Sequence, residues 1–261
     1  MNTVFKTPEK DCPLCPRLQA FHAKNRVTYP EFFNGAVPAF GSLEARLLIV
    51  GLAPGLKGAN ATGRPFTGDY AGDVLYESLL KCGLAEGIYD RRIDDGLELV
   101  DTRITNAVRC VPPKNKPETK EIKQCNAFLA QEIAAMPNLR AILALGGIAH
   151  KAVLTALGYK QSAYKFAHGA EYVLEGAECR VQSAVEQEAS KSISSFPARG
   201  AGNPGRSAKA GKDTLDPQRI RAEDDVGLLN TYHCSRYNIN TGRLTQERFD
   251  AMTERAKVLL A

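Results

Sequence analysis

The chain has no apolar run approaching the ~18 residues of a membrane span, and its first thirty residues lack the basic start, apolar stretch and small-residue cleavage site of a secretory leader. A soluble, intracellular protein is expected. Excess charge of one sign is also small. With 34 Lys and Arg against 29 Asp and Glu, the formal net charge is +5 and the pI about 8.8, so charge alone identifies no polyanionic partner. The glycine-rich stretch "GLAPGLKGANATGRPFTGD", residues 51–69, lacks the Lys-Ser/Thr ending of a P-loop and the compact GxGxxG of a dinucleotide site. Neither phosphate-cradling reading therefore applies. Seven cysteines are present, but a reducing compartment argues against a disulfide framework.

The chain does contain alternating strand and helix patterns. Its 261 residues, 44% hydrophobic and 24% charged, suffice for one sizeable α/β core, and a single domain is expected. Apolar and β-branched runs at 46–50, 103–108, 140–145 and 228–232 read as buried strands. Between and after them, residues 69–83, 116–136, 147–157 and 246–260 carry apolar side chains at helical spacing. Asp69 and Asp73 open the first of these helices, where carboxylates cap free N–H groups. The alternation predicts a three-layer αβα sandwich with a mostly parallel central sheet. Ligands bind beyond the carboxyl ends of such strands, so functional loops are expected from Gly51, Asn106, Gly146 and His233. Residues 182–225, rich in Ser, Gly, Ala, Lys and Arg without periodicity, read as a flexible insertion.

Four cysteines have metal-ligand character. "CPLC" spaces Cys12 and Cys15 so that both thiolates can reach one metal centre, and Cys110 and Cys125 flank a Pro-rich turn. Four thiolates suit zinc or a [4Fe–4S] cluster, and spacing does not choose. Cys82, Cys179 and Cys234 read as isolated small hydrophobes.

"GLAPG…GRPFTGD" after the first strand, "TNAVRC" at the end of another and "HCSRYNINTGRLT" after the last resemble the uracil-DNA glycosylase superfamily, in particular its iron–sulfur family 5, or type b, branch. The matching segments cover everything but the insertion. The resemblance implies a [4Fe–4S] cluster on Cys12, Cys15, Cys110 and Cys125 with a structural role. It also implies hydrolysis of the N-glycosidic bond of uracil or another deaminated base flipped out of DNA. The implied partner is DNA carrying such bases, with the chain acting as a monomer at the nucleoid in the cytoplasm.

That chemistry builds negative charge on the departing base and so calls for donors around it. His233 and backbone N–H groups of the first loop are candidates, with Gly51, Ala53, Pro54 and Gly55 as the backbone lining base and sugar. Asn106 offers donor and acceptor to one edge of a uracil-like base, and Phe66 offers a stacking face. Better-known branches place a water-orienting carboxylate where this chain has Ala53, a loss shared with family 5, and Asn60 is then the polar residue expected to position water. In the last motif Tyr237 lies where the superfamily inserts a wedge into the duplex, and Arg236 and Arg243 are expected to contact phosphates. Two other readings stand beside this one: a catalytically silent iron–sulfur nucleic-acid-binding protein, and an unrelated doubly wound enzyme acting on a soluble nucleotide.

Overall fold

A computed structural model describes residues 6–177 and 225–261. In chain order its elements are helix α1 (Pro16–Thr28), strand β1 (Leu47–Gly51), the short α2 (Ala59–Thr62), α3 (Tyr70–Cys82), a two-residue hairpin of β2 (Ala85–Glu86) and β3 (Glu98–Leu99), and β4 (Thr102–Asn106). There follow α4 (Thr119–Ala134), β5 (Ala141–Leu145), α5 (Gly147–Ala156), β6 (Glu171–Leu174), β7 (Val226–Thr231), α6 (Arg236–Asn240) and α7 (Gln246–Val258). The main sheet runs β4-β1-β5-β7-β6, its first four strands parallel and β6 antiparallel at the edge.

The sheet is covered on both faces, which is why its strands read as continuous apolar runs. Leu47, Ile49, Leu143 and Leu229 pack against Leu75 and Leu79 of α3 and Phe249, Met252 and Ala256 of α7. The alternate residues Leu48, Val50, Ile142 and Leu228 pack against Leu129 and Ile133 of α4 and Ala152 and Val153 of α5. Each buried aliphatic side chain contributes about 1.5–3 kcal/mol relative to exposure. The chain is thus a three-layer α/β structure, as the alternation of patterns implies. Its β1 loop leads to a helix on one face and its β4 loop to a helix on the other, and this divergence opens a crevice at the carboxyl edge.

Every expected strand is present, displaced by up to two residues. The expected helix 116–136 begins only at Thr119, because Pro113–Asn115 form a 3-10 turn and Glu118 caps the helix through a reciprocal box with Glu121. Asp69 caps α3, its side chain accepting from the Gly72 N–H, and Gly83 ends that helix at φ +69°. Helix α1 carries no clear apolar periodicity in the sequence because its buried face, Leu18, His22 and Asn25, is mostly polar. The expected insertion at about 182–225 lies, apart from Asp225, outside the described residues. Among those described, no helix is long and apolar enough to cross a membrane.

Candidate active site

Parallel pairing of β1 with β4 sets Gly51 beside Asn106 at the carboxyl edge. A Cβ at Gly51 would stand 2.3 Å from Asn106 Oδ1 and 2.6 Å from Phe66 Cζ. Amide and ring therefore converge on bare backbone. The Phe66 ring stacks on the imidazole of His233, centroids 5.8 Å apart. Asn106 is 4% exposed, and its amide has no hydrogen-bond partner among the described residues. Its polar atoms are not among those buried without a partner, so the amide is both unpaired within the protein and open to a ligand. His233 is held by its main chain, whose carbonyl accepts from Asn238 Nδ2 at 2.8 Å. Burial pushes its pKa down to about 4, so the imidazole is neutral at physiological pH and keeps one N–H to donate.

The placement of Phe66 is enforced from behind. Its φ is +53°, a conformation that costs a non-glycine residue energy and persists only when neighbours over-determine it. Arg64, 4% exposed, bonds both carboxylate oxygens of Asp95 at 2.8 and 2.7 Å and lies over the rings of Phe40 and Tyr76. Tyr76 donates to the Pro65 carbonyl at 2.6 Å and Tyr89 to that of Phe66 at 3.3 Å. Gly72 permits the approach, since a Cβ there would meet the Phe66 carbonyl oxygen at 1.7 Å.

Beside this cluster lies a cleft of about 480 Å³, bordered by Ala53, Pro54 and Gly55 of the β1 loop, Asp69, Asn115, His233 and Arg236 among others. Asp69 is its one carboxylate. Burial raises the pKa of that group, while N–H bonds from Gly72 and Ala71 oppose the rise. Its Oδ2 leans over the glycine loop: a Cβ at Gly55 would meet it at 2.8 Å and one at Gly58 at 2.1 Å. These two glycines make room for a carboxylate. Asn115 enters from the Pro-rich turn between Cys110 and Cys125, where Lys114 and Asn115 both have φ +55°.

Asn60 does not border the cleft. It is fully buried, its Nδ2 donates to Asn34 Oδ1 at 2.9 Å and its Oδ1 has no partner among the described residues. Asp69 and Asn115 are among the cleft residues that sequence reasoning does not place in the site, one read as a helix cap and the other as part of a spacer between cysteines. The loop after β5 borders no part of the cleft; Gly146 backs onto His233, whose Cβ would lie 3.6 Å from an added side chain.

On α6, Arg236 lines the cleft and covers the Tyr70 ring at 5.3 Å. Tyr237 is 62% exposed, and the Arg243 guanidinium lies 5.5 Å from its ring centre. Aromatic and cationic groups thus stand together at the rim.

Cys12, Cys15, Cys110 and Cys125 line one pocket together with Leu18, His22, Val108 and Phe128. Cys15 precedes α1, Cys110 follows β4 and Cys125 sits on α4. Arg17 joins α1 to α4 through Glu121 at 2.7 and 2.8 Å, and the Arg109 N–H donates to Cys125 Sγ at 3.4 Å. Burial, then the neighbouring cysteines, push the Cys110 thiol up, and the same causes raise Cys15 to about 11. Among the described residues, no three His, Cys, Asp or Glu side chains converge as ligands of a single metal ion. Cys82 and Cys234 are buried apart from this group, and Cys179 lies outside the described residues.

A doubly covered parallel sheet gathers an aromatic ring, an unpaired amide, a neutral imidazole and a carboxylate at its carboxyl edge, the place where enzymes of the α/β class bind their ligands. The family described as the uracil DNA glycosylase superfamily matches residues 38–257, and the chain belongs to it. The chain is 37% identical over 253 residues to the type-5 uracil-DNA glycosylase of Thermus thermophilus, covering 95% of this chain and 93% of that protein. It is 34% identical over 256 residues to the type-5 enzyme of Mycobacterium bovis, 95% of this chain and 78% of that one. With the type-4 uracil-DNA glycosylase of Pyrobaculum aerophilum it shares 35% identity over 150 residues, 57% of this chain and 62% of the other.

Proposed function

We propose that the chain is a uracil-DNA glycosylase that hydrolyses the N-glycosidic bond of uracil, and of other deaminated bases, in a nucleotide flipped out of DNA. The observation carrying this reading is the convergence of Asn106 and Phe66 on Gly51, with His233 stacked on the Phe66 ring. Phe66 stacks on the base and Asn106 reads one edge by donating and accepting. Neutral His233 donates to a base oxygen; as the bond breaks, negative charge grows there and the hydrogen bond strengthens, which is the differential binding that lowers a barrier. The sugar meanwhile becomes cationic. The Asp69 carboxylate, facing the cleft beside Gly55, stabilises that charge and holds the attacking water, so a loss at Ala53 is met from the helix that follows. This favours catalysis over a silent binder. The completely buried Asn60 then shapes the loop, with its backbone N–H bonded to the Gly55 carbonyl at 3.1 Å. Arg236 and Arg243 position phosphates, and Tyr237, exposed at the rim, fills the vacated stack. The partner is DNA bearing deaminated bases, met by a monomer wherever the chromosome lies.

The cysteine pocket fits a [4Fe–4S] cluster: its four thiols line the pocket together with Leu18, Val108 and Phe128, a thiolate donor set in an apolar surround. Cys12, Cys15, Cys110 and Cys125 would hold the cluster, which supplies a cross-link among α1, the β4 loop and α4.

Base release from a uracil-containing duplex with enzyme in excess tests the activity. His233→Ala should slow it by on the order of 10²-fold, as for one preorganised donor, while duplex affinity and its salt dependence are kept. Unchanged cleavage, or an equal loss of affinity, would remove His233 from the chemistry. Asp69→Asn and Asn60→Ala compared in the same assay decide which of the two holds the water. The reading requires the larger loss from Asp69→Asn.

A further inference from the structure

Helix α1 has an anomalous interior. It buries Leu18, His22 and Asn25, two polar residues of three, on the stripe that starts at Cys15 and repeats every three to four positions. His22 is 4% exposed and lines the same pocket as the four cysteines. Its Nε2 is buried with no partner among the described residues. Buried polar atoms are nearly always paired, and an exception calls for a missing group. Arg26 and Asp11 are the charged groups that act on this imidazole, and an imidazole in either protonation state can present an N–H at Nε2.

We infer that His22 donates a hydrogen bond from Nε2 to a sulfur of the iron–sulfur cluster, and so holds the cluster in the protein. The inference rests on the cluster reading of the pocket. Thiolate and sulfide sulfurs are acceptors only, so the proton must reside on Nε2. The Arg109 N–H at Cys125 Sγ is a bond of this kind already in place; His22, on α1, supplies a second. Hydrogen bonds to ligand sulfur stabilise such sites and tune them.

The test compares the iron-loaded wild type with His22→Leu, which fills similar space without a donor, and His22→Gln, which keeps one. Loss of visible cluster absorbance is followed in air with a chelator, and resonance Raman spectra of the Fe–S stretches are taken in H₂O and D₂O. His22→Leu should lose its cluster roughly 10-fold faster, the scale of an outer-shell contact, and should lose part of the D₂O sensitivity. His22→Gln should restore both. Failure of His22→Leu alone to load iron would also support the donor. Equal lability of the two variants, failure of both to load, or wild-type lifetime and isotope shift in His22→Leu would overturn it. A folded wild-type protein without iron after anaerobic reconstitution would instead remove the cluster reading itself, and this inference with it.

Discussion

Gly51→Ala places one methyl group where the proposed base pocket closes. Gly51 does not have the positive φ that would strain alanine, so β1 accepts the residue and the perturbation is steric. The new Cβ would stand 2.3 Å from Asn106 Oδ1, 2.6 Å from Phe66 Cζ and 2.8 Å from Phe66 Cε2, whereas ordinary contact begins at 3.4 Å. Asn106 must therefore retreat by about 1 Å and Phe66 by slightly less, and a 1 Å misplacement near a reacting group costs on the order of 10²-fold in rate. Phe66 has little room to yield, because Tyr76 and Tyr89 bond the carbonyls of Pro65 and Phe66. Overpacking of this kind costs about 1–3 kcal/mol, which lowers Tm by roughly 2–12 °C in a chain of this size. The measurement pairs single-turnover release of uracil with thermal unfolding of the same preparation. A folded Gly51→Ala protein that cleaves at the wild-type rate would refute the convergence of Asn106 and Phe66 on the base.

Asn106→Ala should impair excision far more than binding to an abasic product, because in the proposed pocket the Asn106 amide would meet the base edge and not the phosphates; equal impairment on the two DNAs would take Asn106 out of the pocket. Cys110→Ser should lose both colour and solubility, read from iron content and the soluble fraction, because the proposed cluster would tie the N-terminal helix to the sheet; a colourless variant as soluble as the wild type would contradict that. The pH dependence follows from His233, whose folded pKa of about 4 lies below its ordinary 6.5. The folded protein therefore keeps the donor neutral well below pH 6.5, and the single-turnover rate should show no inflection there, falling only toward pH 4. Over that window the unfolded chain takes up the proton first, so this group's contribution makes stability decline as pH falls from 6.5 toward 4. An inflection near 6.5 that disappears in His233→Ala would mean that the imidazole is not desolvated.

The sequence by itself determined the layered α/β architecture, the four parallel strands, and the order of the loops that leave their carboxyl ends. Burial on both faces forces an unbroken apolar run, and a run such as Leu47–Val50 is legible without knowing its neighbours. The cap at Asp69 was legible for the same reason, since capping is decided within four residues. Side-chain direction was not. Asn60 and Asp69 lie on the same glycine loop and are equally polar on paper, yet packing turns Asn60 inward onto Asn34 and leaves Asp69 toward the cleft. Asn115 reads as a spacer until the turn that carries it is laid beside His233. Helix α1 is hidden in the sequence because His22 and Asn25 interrupt the apolar stripe by which buried helix faces are recognised. Residues 51, 66, 106 and 233 meet only because β1 pairs in register with β4 and β7 returns beyond β5. Local periodicity records which face of an element is dry, whereas the distance between two side chains far apart in the chain depends on strand order and register, and tertiary packing alone decides those.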